Sequence, residues 1–193
     1  YTLTERPTAL YNKAYCLYKL DRLEDASAAF RVYLQDAKSN DRKTEDATLR
    51  LADLYFLLGK HALAEEYYAK SVRMDAQGRY AGYAMYQQAL CEGLLNNSQQ
   101  KIDLLMKLSK NANPNDAFGG KYSDEAQFEA AQTQLRMGSN AAAETNFKEF
   151  IRRVPNSEKA RRAALNIAIA QRNDQRLDAA IASFQDIVKK YPG

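Results

Sequence analysis

The side chains of this chain best suited to nucleophilic, acid–base or metal chemistry are one histidine, His61, and two cysteines, Cys16 and Cys91. Their spacing argues against all three chemistries. An imidazole acting as general base needs a partner within hydrogen-bond reach, and a metal ion needs clustered ligands. His61 falls in a turn at the start of a helical stretch, remote in sequence from both thiols, and is expected to be solvated. The acidic pair Glu65–Glu66 sits in a helical pattern and reads as a solvated face. The Gly119–Gly120 pair lacks the lysine and hydroxyl residue that complete a phosphate-binding loop. Arg152, Arg153, Arg161 and Arg162 flank Pro155, and Lys189–Lys190 precede Pro192. Basic residues in the last turn of a helix oppose its dipole, and no aromatic platform for bases accompanies them. The sequence therefore predicts no enzyme, no cofactor, no metal and no nucleic-acid partner.

The elements that hold these residues repeat. A small residue is followed four places later by a large apolar one, five times over: Ala26–Phe30, Ala64–Tyr68, Lys101–Leu105, Ala143–Phe147 and Ala180–Phe184. The steps between small slots are 38, 37, 42 and 37 residues. Twelve positions before each slot stands another alanine: Ala14, Ala52, Ala89, Ala131 and Ala168. Each unit reads as two amphipathic helices joined by a turn, with repeats over about 7–44, 45–81, 82–123, 124–160 and 161–193. The turns hold Asp21, Gly59, Asn96, Gly138 and Gln175. The first four are types that tolerate the left-handed conformation ending a helix. Gln175 does not, so Asn173 or Asp174 is expected to serve there. Pro114, Pro155 and Pro192 mark the exits of second helices. Self-similarity of this period predicts an all-α, right-handed solenoid of five helix-turn-helix repeats, a single domain over 1–193.

Bulk properties agree. The chain has 193 residues and a net charge of +4, with 28 basic and 24 acidic residues interspersed. No apolar run is long enough to span a bilayer. Cys16 and Cys91 occupy equivalent places two repeats apart, so about 20 Å should separate them at 8–10 Å per packed helix. That is too far for a disulfide, and two free, largely buried thiols are expected. Lys101, in a small-residue slot, is expected to snorkel outward and loosen its helix pair. The stretch Asn111–Ser123 holds the extra residues of the 42-residue step and reads as an exposed, tolerated insertion. The chain reads as a trimmed fragment of a longer array.

The pattern resembles the tetratricopeptide repeat. The stretch LADLYFLLGKHALAEEYYAKS, Leu51 to Ser71, carries it best, with Ala52, Tyr55, Gly59, Ala64 and Tyr68 in register. The 37-residue period and the junctions RRVPNSEKA and KKYPG look like arrays of bacterial cell-envelope proteins, the outer-membrane assembly lipoproteins and Tol-Pal-associated coordinators. That likeness implies a periplasmic location, with the cytoplasm as alternative. The family resemblance implies that first helices line a concave groove. The groove residues would be Tyr11, Tyr15 and Tyr18; Leu49, Asp53 and Phe56; Tyr83, Tyr86 and Leu90; Phe128, Gln132 and Arg136, followed by Leu165, Ile169 and Arg172. The two-carboxylate clamp of chaperone-binding members requires lysine and asparagine at two groove places and is not matched. The function implied is a non-catalytic scaffold binding an extended peptide or helix of a partner protein. The alternative is an assembly module that self-associates through its C-terminal repeat, where Ile181, Ile187 and Val188 lack a cover.

Overall fold

The computed structural model describes residues 5–37, 41–111, 113–118 and 120–190. They form ten helices: α1 (Glu5–Lys19), α2 (Leu23–Asp36), α3 (Arg42–Leu57), α4 (His61–Met74), α5 (Ala81–Leu94), α6 (Ser98–Lys110), α7 (Lys121–Arg136), α8 (Asn140–Arg153), α9 (Glu158–Asn173) and α10 (Leu177–Lys190). No strand lies among the described residues. The all-α, helix-turn-helix repeat architecture is thus the one the periodicity predicts. Later first helices start one to three residues ahead of the repeat boundaries, at Arg42, Ala81, Lys121 and Glu158. Local caps set two of these starts. The Asp41 carboxylate accepts from the Thr44 N–H at 3.0 Å, and the Ser157 hydroxyl from the Lys159 N–H at 3.2 Å, each satisfying an otherwise orphaned donor.

The helices group into two compact units. The first contains α1–α5 with residues 115–117, and the second contains α6–α10. In the first, consecutive helices pack on one another from α1 to α5; in the second, the same holds from α6 to α10, and α7 also touches α9.

The turn after each first helix is built the same way. Asp21, Gly59, Asn96, Gly138 and Gln175 all have φ between 57° and 76°. Each donates its N–H three residues back, and the following N–H reaches five back, as in Gly59 to Phe56 with Lys60 to Tyr55. Gln175 does likewise, to Arg172, with Arg176 bonding Gln171. This pair of bonds is the Schellman closure of a helix. It corrects the expectation that Asn173 or Asp174 would replace Gln175: two backbone bonds hold the glutamine in the left-handed region despite its Cβ. Pro114 and Pro155 follow α6 and α8; Pro192 and Gly119 lie outside the described residues.

Close approach explains the alanines. Ala14, Ala52, Ala89, Ala131 and Ala168 are fully buried, as are Ala26, Ala64, Ala143 and Ala180 in the small slots. Phe30, Tyr68, Leu105 and Phe147 fill the space beside them. Each unit has its own apolar centre, around Phe30, Leu51, Leu54 and Tyr68 in the first and Phe128, Phe147, Phe150 and Ile167 in the second.

Three expectations are corrected here. Lys101 does not snorkel outward; it is 7% exposed, and its ammonium donates to Glu129 of α7 at 2.5 Å. The neighbouring helix supplies a carboxylate, which removes the reason for the stem to leave. Cys91 is buried as expected, against α4, but Cys16 is exposed, because no described helix covers that flank of α1. His61 is half-buried rather than fully solvated: its ring lies 5.6 Å from that of Phe56, and Nδ1 is buried without a hydrogen bond. No group of three potential metal ligands occurs among the described residues, and no helix of the described residues is long and apolar enough to cross a membrane.

Candidate functional site

On α3, Asp46, Arg50 and Asp53 stand at i, i+4 and i+7, which places them on one stripe of the helix. Arg50 bridges the two carboxylates, 3.4 Å from Asp46 and 2.8 Å from Asp53. Tyr11 and Tyr15, one turn apart on α1, both donate their hydroxyls to Asp46, Tyr11 at 2.8 Å. Tyr68 of α4 and Tyr83 of α5 donate to Asp53 at 2.8 and 2.7 Å. Four helices of the first unit are thereby tied to one acidic–basic–acidic ladder. The rings pack as well: Tyr11 and Tyr15 meet edge-on with Phe30, and Tyr68 with Tyr83.

Burial sets the electrostatics. It pushes the Asp53 carboxyl above its ordinary value, against the opposing hydrogen bonds from Tyr83 and Tyr68 and the charge of Arg50. Burial works against the charge of Arg50, yet Asp53 and Asp46 hold its pKa above normal. Tyr68 and Tyr83 are raised by burial and then by the charge of Asp53; Tyr11 and Tyr15 are raised by burial and by their bonds to Asp46. A phenol raised in this way stays protonated and keeps donating. The ladder is an arrangement that fixes side-chain positions through paired charges and donated hydroxyls.

The predicted groove residues separate into two groups. Asp53, Leu49 and Phe128 are buried. Leu49 belongs to the core of the first unit, and Phe128 packs against Phe147 and Phe150 at 5.6 and 5.1 Å in the core of the second. These three offer little surface to a ligand, against their expected place in a groove. Tyr11, Tyr15, Tyr18, Phe56, Tyr83, Tyr86, Leu90 and Gln132 are half-buried, and Arg136 is exposed. In the first unit the hydroxyls of Tyr11, Tyr15 and Tyr83 are already engaged, so these residues present ring surface. Asp46 and Arg50 were not among the predicted site residues. Their signal was present as the i, i+4, i+7 run of opposite charges on α3, although only the fold brings four tyrosines to it.

Beside the ladder a pocket of about 690 Å³ opens in the first unit, lined among others by Arg42, Glu45, Asp46, Asp75, Arg79 and Asn115. Part of its wall comes from the insertion. Ala117 donates its N–H to the Arg79 carbonyl at 2.9 Å, and Asn115 reaches the Gln77 carbonyl at 3.3 Å. The middle of the insertion is thereby tied to the α4–α5 connection.

In the second unit the basic cluster is partly structural. Arg153 donates to the Ser109 carbonyl at the end of α6 (3.0 Å) and to Ser123 (2.9 Å), and pairs with Asp124 at 2.8 Å. Glu144 of α8 is enclosed by Lys148, Arg176 and Gln171. Burial opposes its charge, but these bonds hold its pKa down at about 2.

Among curated proteins, none matches the chain in sequence. Solved structures do match in fold. The crystal structure of MamA protein is similar at a TM-score of 0.73 and 19% identity, over 97% of this chain and 92% of that one. A tetratricopeptide repeat protein from Parabacteroides merdae ATCC 43184 is similar at 0.72 and 14% identity, over 97% and 68%. YrrB, described as a TPR protein with an unusual peptide-binding site, is similar at 0.67 and 14% identity, over 100% and 93%. At such identities the likeness is one of fold. A tetratricopeptide-repeat family profile matches residues 4–42 and 128–193, and a second matches residues 46–77. Those matches cover most of the chain and take in the alanine slots and left-handed turns of four of its five helix pairs, and on that ground the chain belongs to the tetratricopeptide-repeat family.

Proposed function

We propose that this chain is a non-catalytic protein-interaction scaffold that holds an extended peptide or a helix of a partner protein against its first helices. The observation that carries the reading is the division of labour on those helices. The ladder of Asp46, Arg50 and Asp53, of which Asp53 is buried and the other two half-buried, fixes Tyr11, Tyr15 and Tyr83 through their hydroxyls, while the rings of these three and of Tyr18, Phe56 and Tyr86 keep part of their surface open. Stiff aromatic side chains held in place lose little entropy on binding and make effective anchors. The fold it shares with YrrB, itself described as having a peptide-binding site, supports the same reading. The test is affinity capture from source-cell lysate with mass spectrometry, comparing the parent chain with Tyr18→Ala combined with Tyr86→Ala. The variant is expected to lose its partners with unchanged helicity. Unchanged capture would overturn this placement of the site.

A second reading, self-assembly, is favoured by α10. Ile181 and Val188 are 54% and 72% exposed. One repeat earlier their places are taken by Glu144 and Ile151 of α8, the helix on which α9 packs. Ala9, Cys16 and Leu20 on the outer flank of α1 are exposed, so a second copy could seat its α1 on this α10. A molar mass that stays monomeric across a light-scattering concentration series would refute it. Placement on the periplasmic side of a bacterial envelope is a further proposal, resting on the 37-residue period and the proline junctions. Fractionation of source cells tests it, and recovery in the cytoplasmic fraction would overturn it.

A further inference from the structure

We propose that the exposed face of α9, together with the C-terminal end of α7 beside it, receives an acidic segment of a partner protein carrying aliphatic side chains. This rests on the scaffold reading above and names the chemistry of one partner segment. On α9, Arg162, Leu165, Ile169 and Arg172 stand at i, i+3, i+7 and i+10. At 3.6 residues per turn they fall within an arc of about 80°, with the two arginines about 15 Å apart along the axis. The opposite side of the helix, including Ala163, Ile167, Ala170 and Gln171, is buried. Leu165 is 42% exposed and Ile169 half-buried. The stripe therefore offers aliphatic surface bracketed by guanidiniums.

Those guanidiniums are not taken up by the fold. Among the described residues Arg162 makes no hydrogen bond or ion pair, and Arg172 reaches only Asn173, at 3.5 Å. Arg136 of α7, which packs directly on α9, bonds Thr133 and comes within 3.8 Å of Glu129 while its side chain stays 65% exposed. The nearby carboxylates are otherwise occupied: Glu125 by Lys159, Glu129 by Lys101 and Glu144 by Lys148 and Arg176. Among the described residues Glu158 is the one acidic group on the stripe, a turn before Arg162, and it does not bond it. Two uncompensated forks flanking apolar surface suit carboxylates spaced along a peptide, since arginine binds carboxylate through paired hydrogen bonds. Nucleic acid fits less well, because α9 carries no aromatic residue on which a base could stack.

Fluorescence anisotropy tests this with three labelled probes: an amphipathic peptide of glutamate and leucine about 14 residues long, the same peptide with lysine for glutamate, and a single-stranded DNA of similar charge. Each is titrated with the whole chain and with Arg162→Glu combined with Arg172→Glu, circular dichroism confirming the fold. The acidic peptide should bind saturably, at least tenfold more weakly to the variant, and more weakly as salt rises. Should charge reversal unfold the chain, Arg162→Gln with Arg172→Gln should still weaken binding about threefold. Equal binding by variant and parent, equal binding of the lysine peptide, or saturation by DNA alone would each overturn the proposal. Its failure is separable from that of the scaffold reading. Should the acidic peptide fail while Tyr18→Ala with Tyr86→Ala abolishes capture, only the α9 site falls. The converse pattern removes only the tyrosine face.

Discussion

At the scale of single residues, Lys101 shows how a substitution that breaks a repeat can be absorbed. Four of the five small slots hold alanine; the fifth holds a lysine whose ammonium is enclosed with Glu129. Removing one partner of such a pair leaves the other charged without its counter-ion, which costs more than removing both. The two residues are unequally protected, because Glu129 also lies near Arg136 and is more exposed than Lys101. Glu129→Gln is therefore expected to destabilise the chain by about 3 kcal/mol, and Lys101→Gln by less, as read by urea denaturation. Equal costs would mean the pair is solvated. Glu144 gives a pH prediction. Its folded pKa is lowered from 4.5 to about 2, so the unfolded chain binds the proton first as pH falls. The stability it contributes is complete above about pH 5 and is lost between about pH 4.5 and 2. Denaturation midpoints measured across that range should fall, and Glu144→Gln should flatten the slope.

At the scale of elements, helix pairs are defined by where they turn and how closely they approach. Gln175 is held at φ 60°, where a Cβ costs about 1–2 kcal/mol. Gln175→Gly keeps both backbone bonds and removes that strain, so thermal melting should rise by a few degrees. In the second unit, Phe147→Ala should leave a cavity costing about 3–5 kcal/mol. Ala143→Leu should overpack the α7–α8 pair by about 1–3 kcal/mol. Neutral effects at both sites would mean that these residues are not at the helix contact. The alanine slots and turns were legible in the sequence because their requirement is local and recurs five times. The roles of Leu49 and Phe128 were not. A place in the repeat marks a direction on the helix, but the size of the neighbours decides whether that direction is open; Phe147 and Phe150 close over Phe128.

At the scale of the whole molecule, two properties depend on what covers the chain's own surfaces. The apolar face of α10 makes self-association a mass-action question. Val188→Lys should lower any concentration-dependent rise in molar mass without changing helicity, since a charge at an apolar contact is costly when buried. The other property is the ladder of the first unit. Asp46, Arg50 and Asp53 join α1, α3, α4 and α5 through tyrosine hydroxyls, so Asp53→Asn should weaken several packings at once. Hydrogen exchange is expected to quicken in all four helices together, and quickening confined to α3 would refute that coupling.

The sequence by itself determined the helix pairs and their turns, because a period of about 37 residues and the steric demands of alanine and left-handed turns are written in neighbouring positions. Tertiary structure alone decided which of the predicted groove residues keep exposed surface, that Lys101 turns inward to Glu129, that four tyrosines converge on two aspartates, and that Asn115 and Ala117 tie back to the α4–α5 connection. Those outcomes join residues tens of positions apart. They depend on which partner each polar group meets once water is excluded, and no local pattern encodes that.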